Sequence, residues 1–405
     1  MNDIKFLENK HLKKAGEGAE LAFLAPGEAE KARAYHRSFA AYAPTPLVAL
    51  PKLAKTLGVG RVFVKDESYR FGLNAFKVLG ASYAIGRYLA ERLGKDIGEV
   101  SFDYLRSPEV RNQLGTITFT TATDGNHGRA VAWAAQQLGH RAVIYMPKGS
   151  DPTRLANIRA HGAEASITDL NYDDAVRLSY RMARENGWVI VQDTAWEGYE
   201  DIPTWIMQGY ATLGLEAMAQ LGAEGIDCPT HLFLQAGVGS YAGGVLGFLT
   251  AKLGDARPTT VIVEPHQANC IYRSALAGDG RPHKVGGDLD TLMAGLACGE
   301  PNTISWKILR DYAHGYISCP DWVAANGMRI LAAPRRGDTP VVSGESGAVT
   351  CGLLEFLMAH PGGEEIRKAL DLNNDATVLL ISTEGDTSPK TYRDIVWYGR
   401  YPSRA

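Results

Sequence analysis

At 405 residues the chain exceeds the usual size of one hydrophobic core, so two packed lobes with a cleft between them are expected. Its 42 basic and 45 acidic residues nearly balance, and no long run of either sign occurs. This excludes the electrostatic footprint of a nucleic-acid or anionic-membrane binder and leaves a small molecule as the expected partner.

The five cysteines, Cys228, Cys270, Cys298, Cys319 and Cys351, show no Cys-x-x-Cys spacing, so no metal site is expected. Buried thiols in a reducing compartment are expected, with a Cys270 to Cys298 bridge left open. The start, MNDIKFLENKHLKK, is charged where a secretory leader would be apolar, and no stretch is long and apolar enough to span a bilayer. A cytoplasmic location is expected.

In chain order, strand-like runs alternate with helical ones. RVFVK precedes KVLGASYAIGRYLAERLG, TITFT precedes a helix from Asn126 to Leu138, and RAVIYMP precedes DPTRLANIRAHG. EASITD and YDDAVRLSYRMARENG follow, then WVIVQD, a helix across TWIMQGYATLGLEAMAQ, HLFLQAG, TTVIVEP and ATVLLIST. Such alternation predicts an α/β protein with mostly parallel open sheets, because parallel strands need crossover connections. The segment AGDGRPHKVGGDLD reads as an exposed loop. The expected division is a large domain from residues 1–78 and 206–405, including an N-terminal extension over 1–40, with a smaller α/β domain inserted over 79–205.

Ligands of open parallel sheets gather beyond the carboxyl ends of strands, which directs attention to the residues after each apolar run. Lys77 closes Asn74-Ala75-Phe76-Lys77 just before a helical pattern, with Asn74 placed to cap that helix. A positive dipole end and the neighbouring Phe71 and Phe76 favour the neutral amine that Schiff-base chemistry requires. Alone, the same lysine reads as a solvated side chain in a first helical turn.

Gly237-Val238-Gly239-Ser240-Tyr241-Ala242-Gly243-Gly244 lies between a strand and a helix, where successive backbone N–H groups can converge on a phosphate. It lacks the Lys-Ser/Thr ending of a nucleotide loop and the Gly-x-Gly-x-x-Gly spacing of a dinucleotide site. As a plain turn it would simply pack a strand against a helix. Thr123-Asp124-Gly125-Asn126-His127-Gly128 occupies a similar junction. There Asn126 can present an amide to a ring oxygen and backbone N–H groups can receive a carboxylate, whereas His127 reads as a packed or capping histidine. Ser343-Gly344-Glu345-Ser346-Gly347 either lines the same site or caps the helix through Leu354.

In this order the motifs NAFKVLGAS, TATDGNHGRAVAWAA, VQDTAWEGYEDIP, QAGVGSYAGG and STEGDTS resemble the threonine-dehydratase and tryptophan-synthase-β family of pyridoxal-phosphate enzymes, the fold type II group. The resemblance runs from about Pro44 to Pro389 and implies a two-domain fold with pyridoxal 5'-phosphate in the interdomain cleft, and a homodimer. It further implies that Lys77 carries the cofactor and that Gly237, Val238, Gly239, Ser240 and Tyr241 bind its phosphate. Asn126 would approach its 3-hydroxyl, and Thr383 would face the pyridine nitrogen.

Asp124 stands where ordinary serine and threonine dehydratases have a small residue before Gly-Asn-His, and Asp193 ends the run WVIVQ. Within the family this looks like the ammonia-lyase branch acting on 2,3-diaminopropionate of either configuration. Lys77 and Asp124 would be bases for the two configurations and Asp193 the partner of the distal ammonium, with pyruvate and two ammonia as products. A carboxylate about 4 Å from that ammonium supplies roughly 4 kcal/mol at an effective dielectric near 20, before its own desolvation is subtracted.

The neighbouring alternatives are a serine or threonine dehydratase and a β-replacement synthase of the same fold. From another class come a pyridoxal-phosphate or amino-acid-binding protein without catalysis and, disfavoured by the glycine spacing, a nicotinamide oxidoreductase.

Overall fold

The longest apolar runs become the inner strands of two sheets. The computed structural model describes residues 4–123 and 125–402. Seven strands form the larger sheet: β1 (Lys5–Glu8), β2 (Leu47–Ala49), β3 (Arg61–Asp66), β8 (His231–Gln235), β9 (Thr259–Pro265), β10 (Gly315–Cys319) and β11 (Thr377–Ser382). They lie in the order β1-β10-β9-β8-β11-β3-β2.

The inner five pair in parallel, and β1 and β2 close the two edges antiparallel. Helices cover both faces, so strands such as HLFLQ and TVLLIS are buried along nearly their whole length, with continuous apolar centres rather than an alternating pattern. The smaller sheet is built from β4 (Thr118–Ala122), β5 (Arg141–Met146), β6 (Glu164–Ile167) and β7 (Val189–Ile190). It is parallel, in the order β6-β5-β4-β7. The expected α/β class with mostly parallel sheets is what the chain forms. The antiparallel edges and β10 are not among the strands anticipated, and WVIVQD contributes only Val189–Ile190 as strand.

Two helices set the position of residue 77. Val78–Arg92 crosses Asp201–Ala223 so closely that a Cβ on Gly209 would stand 2.3 Å from Leu79 O, a contact only glycine permits. His36, wholly buried, ties the same pair by bonding Leu79 O and Thr212 Oγ1, each at 2.9 Å.

Beneath the segment leading to Lys77 lies a buried ionic cluster. Lys65 Nζ donates to Thr45 O at 2.7 Å and to Glu216 Oε2 and Gln220 Oε1, each at 2.8 Å. Arg70 pairs with both Glu67 and Glu216. Burial pushes the Glu216 carboxyl up, but Arg70 and Lys65 outweigh it and hold the group at about 2.

Asn74 does not cap the following helix. It takes a left-handed φ of +59°, its side chain donates to Asp386 Oδ1 at 3.1 Å, and its carbonyl accepts from Gly385 N at 3.0 Å. The lysine segment is thereby clamped to the end of β11, and Lys77 itself occupies the capping position.

No helix among the described residues is long and apolar enough to cross a membrane. No disulfide joins the cysteines; Cys270 Sγ lies 3.6 Å from Gly237 O, and a Cβ on Gly237 would stand 3.2 Å from Cys298 Sγ.

Candidate active site

The carboxyl ends of β3, β4, β7, β8 and β11 all feed one cleft, as parallel-sheet geometry leads one to expect. Lys77, Asn126, Asp193, the turn from Gly237 to Tyr241, and Thr383 line it together. Asp124 lies outside the described residues.

Lys77 Nζ meets Asp193 Oδ2 at 2.5 Å, short even for a charge-assisted contact. The lysine side chain is 18 % exposed on the cleft side and the aspartate 4 %. Burial pushes the Asp193 carboxyl up; the Lys77 charge and then His127 overcome this and hold it well below the usual carboxylate range. The two groups form an ion pair rather than the isolated neutral amine that dipole and desolvation alone would favour.

His127 donates Nε2 to Val191 O at 2.7 Å and turns Nδ1 toward Asp193 Oδ2 at 3.9 Å. Burial holds its imidazole below the usual histidine range. It is a packed histidine, as expected, though one packed against a central carboxylate.

The glycine turn joins β8 to the helix Ser240–Leu253. Gly239 has φ of +98°, a conformation L side chains rarely adopt, and no side chain caps the helix it opens. The first-turn N–H groups therefore face the cleft with a positive dipole end behind them, which suits an anionic tail.

Asn302 braces this turn. Its Nδ2 donates to Ser240 Oγ at 2.8 Å, its backbone N–H donates to Val238 O at 2.8 Å, and its Oδ1 caps the helix Thr303–Tyr312. The Ser240 hydroxyl in turn donates to Asp193 O. Through these bonds the turn and the Asp193 carboxylate are held in one frame.

Asn126 opens the helix Asn126–Gln137 and donates Nδ2 to Glu384 Oε2 at 2.5 Å. Glu384 also accepts from Ser346 N at 3.1 Å and Thr387 Oγ1 at 3.1 Å. Ser346 lines the cleft and no side chain of its segment caps the helix Glu345–Ala359, so the first of the two readings of that segment fits.

Thr383 is buried and accepts from Gln235 Nε2 at 3.0 Å, whereas Ser382 turns away to bond Ser343 Oγ at 2.8 Å. Gln235, Asn302 and Glu384 were not singled out from sequence. Gln235 and Glu384 follow the strand-end rule, and Asn302 stands before a helical run after Pro301, a capping signal.

The cleft fits a cofactor that combines an aldehyde, an aromatic ring nitrogen and an anionic tail. Besides the amine and the uncapped helix end, three buried polar atoms of its lining have no hydrogen-bond partner among the described residues: Gln235 Oε1, Tyr241 Oη and His127 Nδ1.

Comparison with known proteins agrees. Residues 39–384 match the family model described as pyridoxal-phosphate dependent enzyme. A diaminopropionate ammonia-lyase from Salmonella typhimurium is 57 % identical over 398 residues, covering 98 % of both chains.

The crystal structure of holo diaminopropionate ammonia lyase from Escherichia coli superposes with a TM-score of 0.92 at 52 % identity, over 98 % of this chain and 97 % of that one. The same Escherichia coli enzyme in complex with an aminoacrylate-PLP azomethine reaction intermediate gives 0.91 at 51 % identity, over 99 % and 98 %. On the residues of the cleft and on these likenesses, the chain belongs to the diaminopropionate ammonia-lyase family of pyridoxal-phosphate dependent enzymes.

Proposed function

We propose that this enzyme eliminates ammonia from 2,3-diaminopropionate of either configuration, giving with one water a molecule of pyruvate and two of ammonia. The observation that carries the substrate choice is the Lys77–Asp193 pair, an ammonium seated on a buried carboxylate. The substrate's distal ammonium is the same chemical group as that of Lys77 and would take over the same carboxylate. A hydroxyl carries no charge and cannot. Because Asp193 is already buried, its desolvation was met in folding and is not a fresh cost of binding.

Lys77 would hold the cofactor covalently, the N–H groups of Gly237 to Tyr241 its phosphate, Asn126 its 3-hydroxyl, and Thr383 its pyridine nitrogen. When bound, pyridoxal phosphate supplies an electron sink for the pair released as the α-proton leaves. Lys77 Nζ would take the α-proton that faces it. Asp124 supplies the second base, required for the configuration whose α-hydrogen does not face Lys77. Asp193 holds the distal ammonium until it departs. Asn302 and Ser240 keep that carboxylate and the phosphate turn in register. The same proposal includes a homodimer and a cytoplasmic location.

The test is ammonia and pyruvate release by purified protein from D- and L-diaminopropionate, serine and threonine, with an absorbance spectrum. Two ammonia per pyruvate from both isomers is expected; turnover of serine or threonine alone would replace this reading with a dehydratase. Asp124→Asn should slow the D-isomer more than the L-isomer, and equal losses would remove its separate role.

A further inference from the structure

The amide of Gln235, at the carboxyl end of β8, lines the cleft and is 1 % exposed. Its Nε2 lies 2.9 Å from Ile381 O and 3.0 Å from Thr383 Oγ1. Exchanging the two ends of a side-chain amide leaves its shape unchanged, so the partners must decide which end faces which neighbour. Ile381 O is a backbone carbonyl and can only accept. Turned the other way, Gln235 would set two acceptor oxygens against each other in a buried site. Nε2 therefore faces Ile381, and the same nitrogen is the one that reaches Thr383.

Both N–H bonds of the amide are then committed, one to each oxygen. A hydroxyl that accepts from an amide keeps its own proton for another group. Among the described residues no protein acceptor takes the Thr383 proton, and Thr383 lines the cleft.

We propose that Gln235 is a positioning residue that sets the polarity of the Thr383 hydroxyl: by donating to Oγ1 it commits the Thr383 proton to the cleft, where it is given to an unprotonated pyridine nitrogen. This rests on the reading of Thr383 as the partner of that nitrogen. It assigns to one buried amide the choice between a neutral ring, suited to elimination, and a protonated ring, a stronger electron sink.

Two substitutions separate polarity from packing. Gln235→Met keeps length and burial but removes both donors. In Gln235→Glu the neutral acid can donate to Ile381 O while its carbonyl faces Thr383, which reverses the hydroxyl. The holoenzyme is reconstituted with pyridoxal phosphate labelled with nitrogen-15 in the ring, and the ring-nitrogen chemical shift and visible absorbance are read beside kcat and KM for diaminopropionate.

The wild type should show a hydrogen-bonded, unprotonated nitrogen. Both variants should move that signal and lower kcat about tenfold with KM within about twofold. In a Thr383→Val background, Gln235→Met should add nothing further.

An unmoved nitrogen signal in both Gln235 variants overturns the proposal, as does an equal extra loss of kcat in the Thr383→Val background, which would make the role structural. If Thr383→Val alone leaves the nitrogen signal unchanged, the Thr383 reading has failed and this inference falls with it. Absence of a visible band on reconstitution would instead remove the cofactor reading.

Discussion

Lys65 and Lys77 are close in sequence and both meet a carboxylate at hydrogen-bond distance, yet the chain uses them in opposite ways. Lys65 is fully buried and its three donors go to a backbone carbonyl, a carboxylate and a side-chain amide. Burial draws its amine below the usual lysine range, but three acceptor oxygens call for three N–H groups and so for the ammonium. Lys77 has its carboxylate on one side and the cleft on the other. A lysine ringed by acceptors has no partner to exchange; one seated at the edge of a cleft can hand its carboxylate to an incoming ammonium. The difference lies in surroundings, not in residue type.

The largest effect expected of this contrast is catalytic. Lys77→Ala should abolish ammonia release and the visible absorbance together, and should cost the cofactor-free protein less stability than any loss of Lys65. Equal destabilisation by both substitutions would break the comparison.

Next comes Lys65→Met, which leaves Glu216 buried with one partner fewer and should destabilise by about 3–5 kcal/mol, read as a lowered urea midpoint. Asp193→Asn sharpens the other half. It should raise KM for diaminopropionate on the order of tenfold while the affinity for serine changes within about twofold, because only the former brings a distal ammonium. A parallel loss for both ligands would argue that Asp193 merely orders the site.

The smallest effect concerns pH. Burial holds the His36 imidazole at about 3, far below its ordinary 6.5. Between those values the unfolded chain takes up a proton that the folded chain does not. Stability contributed by the neutral ring is thus complete above pH 6.5 and is lost progressively as the pH falls toward 3, by at most about 1.4 kcal/mol per unit. The depressed carboxyl of Glu216 acts lower, its contribution fading only from the usual glutamate value of 4.5 down toward 2. The difference in denaturant midpoint between the native protein and His36→Gln should therefore shrink as the pH falls from 6.5 to 5, because the other buried histidines, such as His140 and His314, each held at about 4, act equally in both.

The parts legible in sequence were those where one residue's requirement is local. Continuous apolar runs announced the buried parallel strands, and glycine at a strand-to-helix junction announced the turn at Gly239 with its left-handed backbone. The cleft likewise collects the residues that follow those runs.

What stayed hidden depends on partners distant in the chain. Asn74 has every local mark of a helix cap, but Gly385 and Asp386 claim its carbonyl and its amide. The Lys77–Asp193 pair joins positions 116 residues apart, and no pattern near either residue encodes it. The edge strands β1 and β2 are short and only partly buried, so they carry too few apolar residues to stand out.

The place of β11 has a consequence for synthesis. It is the final strand in the sequence, yet it lies between β8 and β3 in the interior of the larger sheet, and its end clamps the loop carrying Lys77. A nascent chain on the ribosome exposes residue 77 early but cannot complete the sheet around it until the last part of the chain emerges. Until then the flanking strands present unpaired edges. Truncation before Thr377 would leave more than a shortened protein: the amine would lack its clamp, and two apolar strands would be left without the neighbour that joins them.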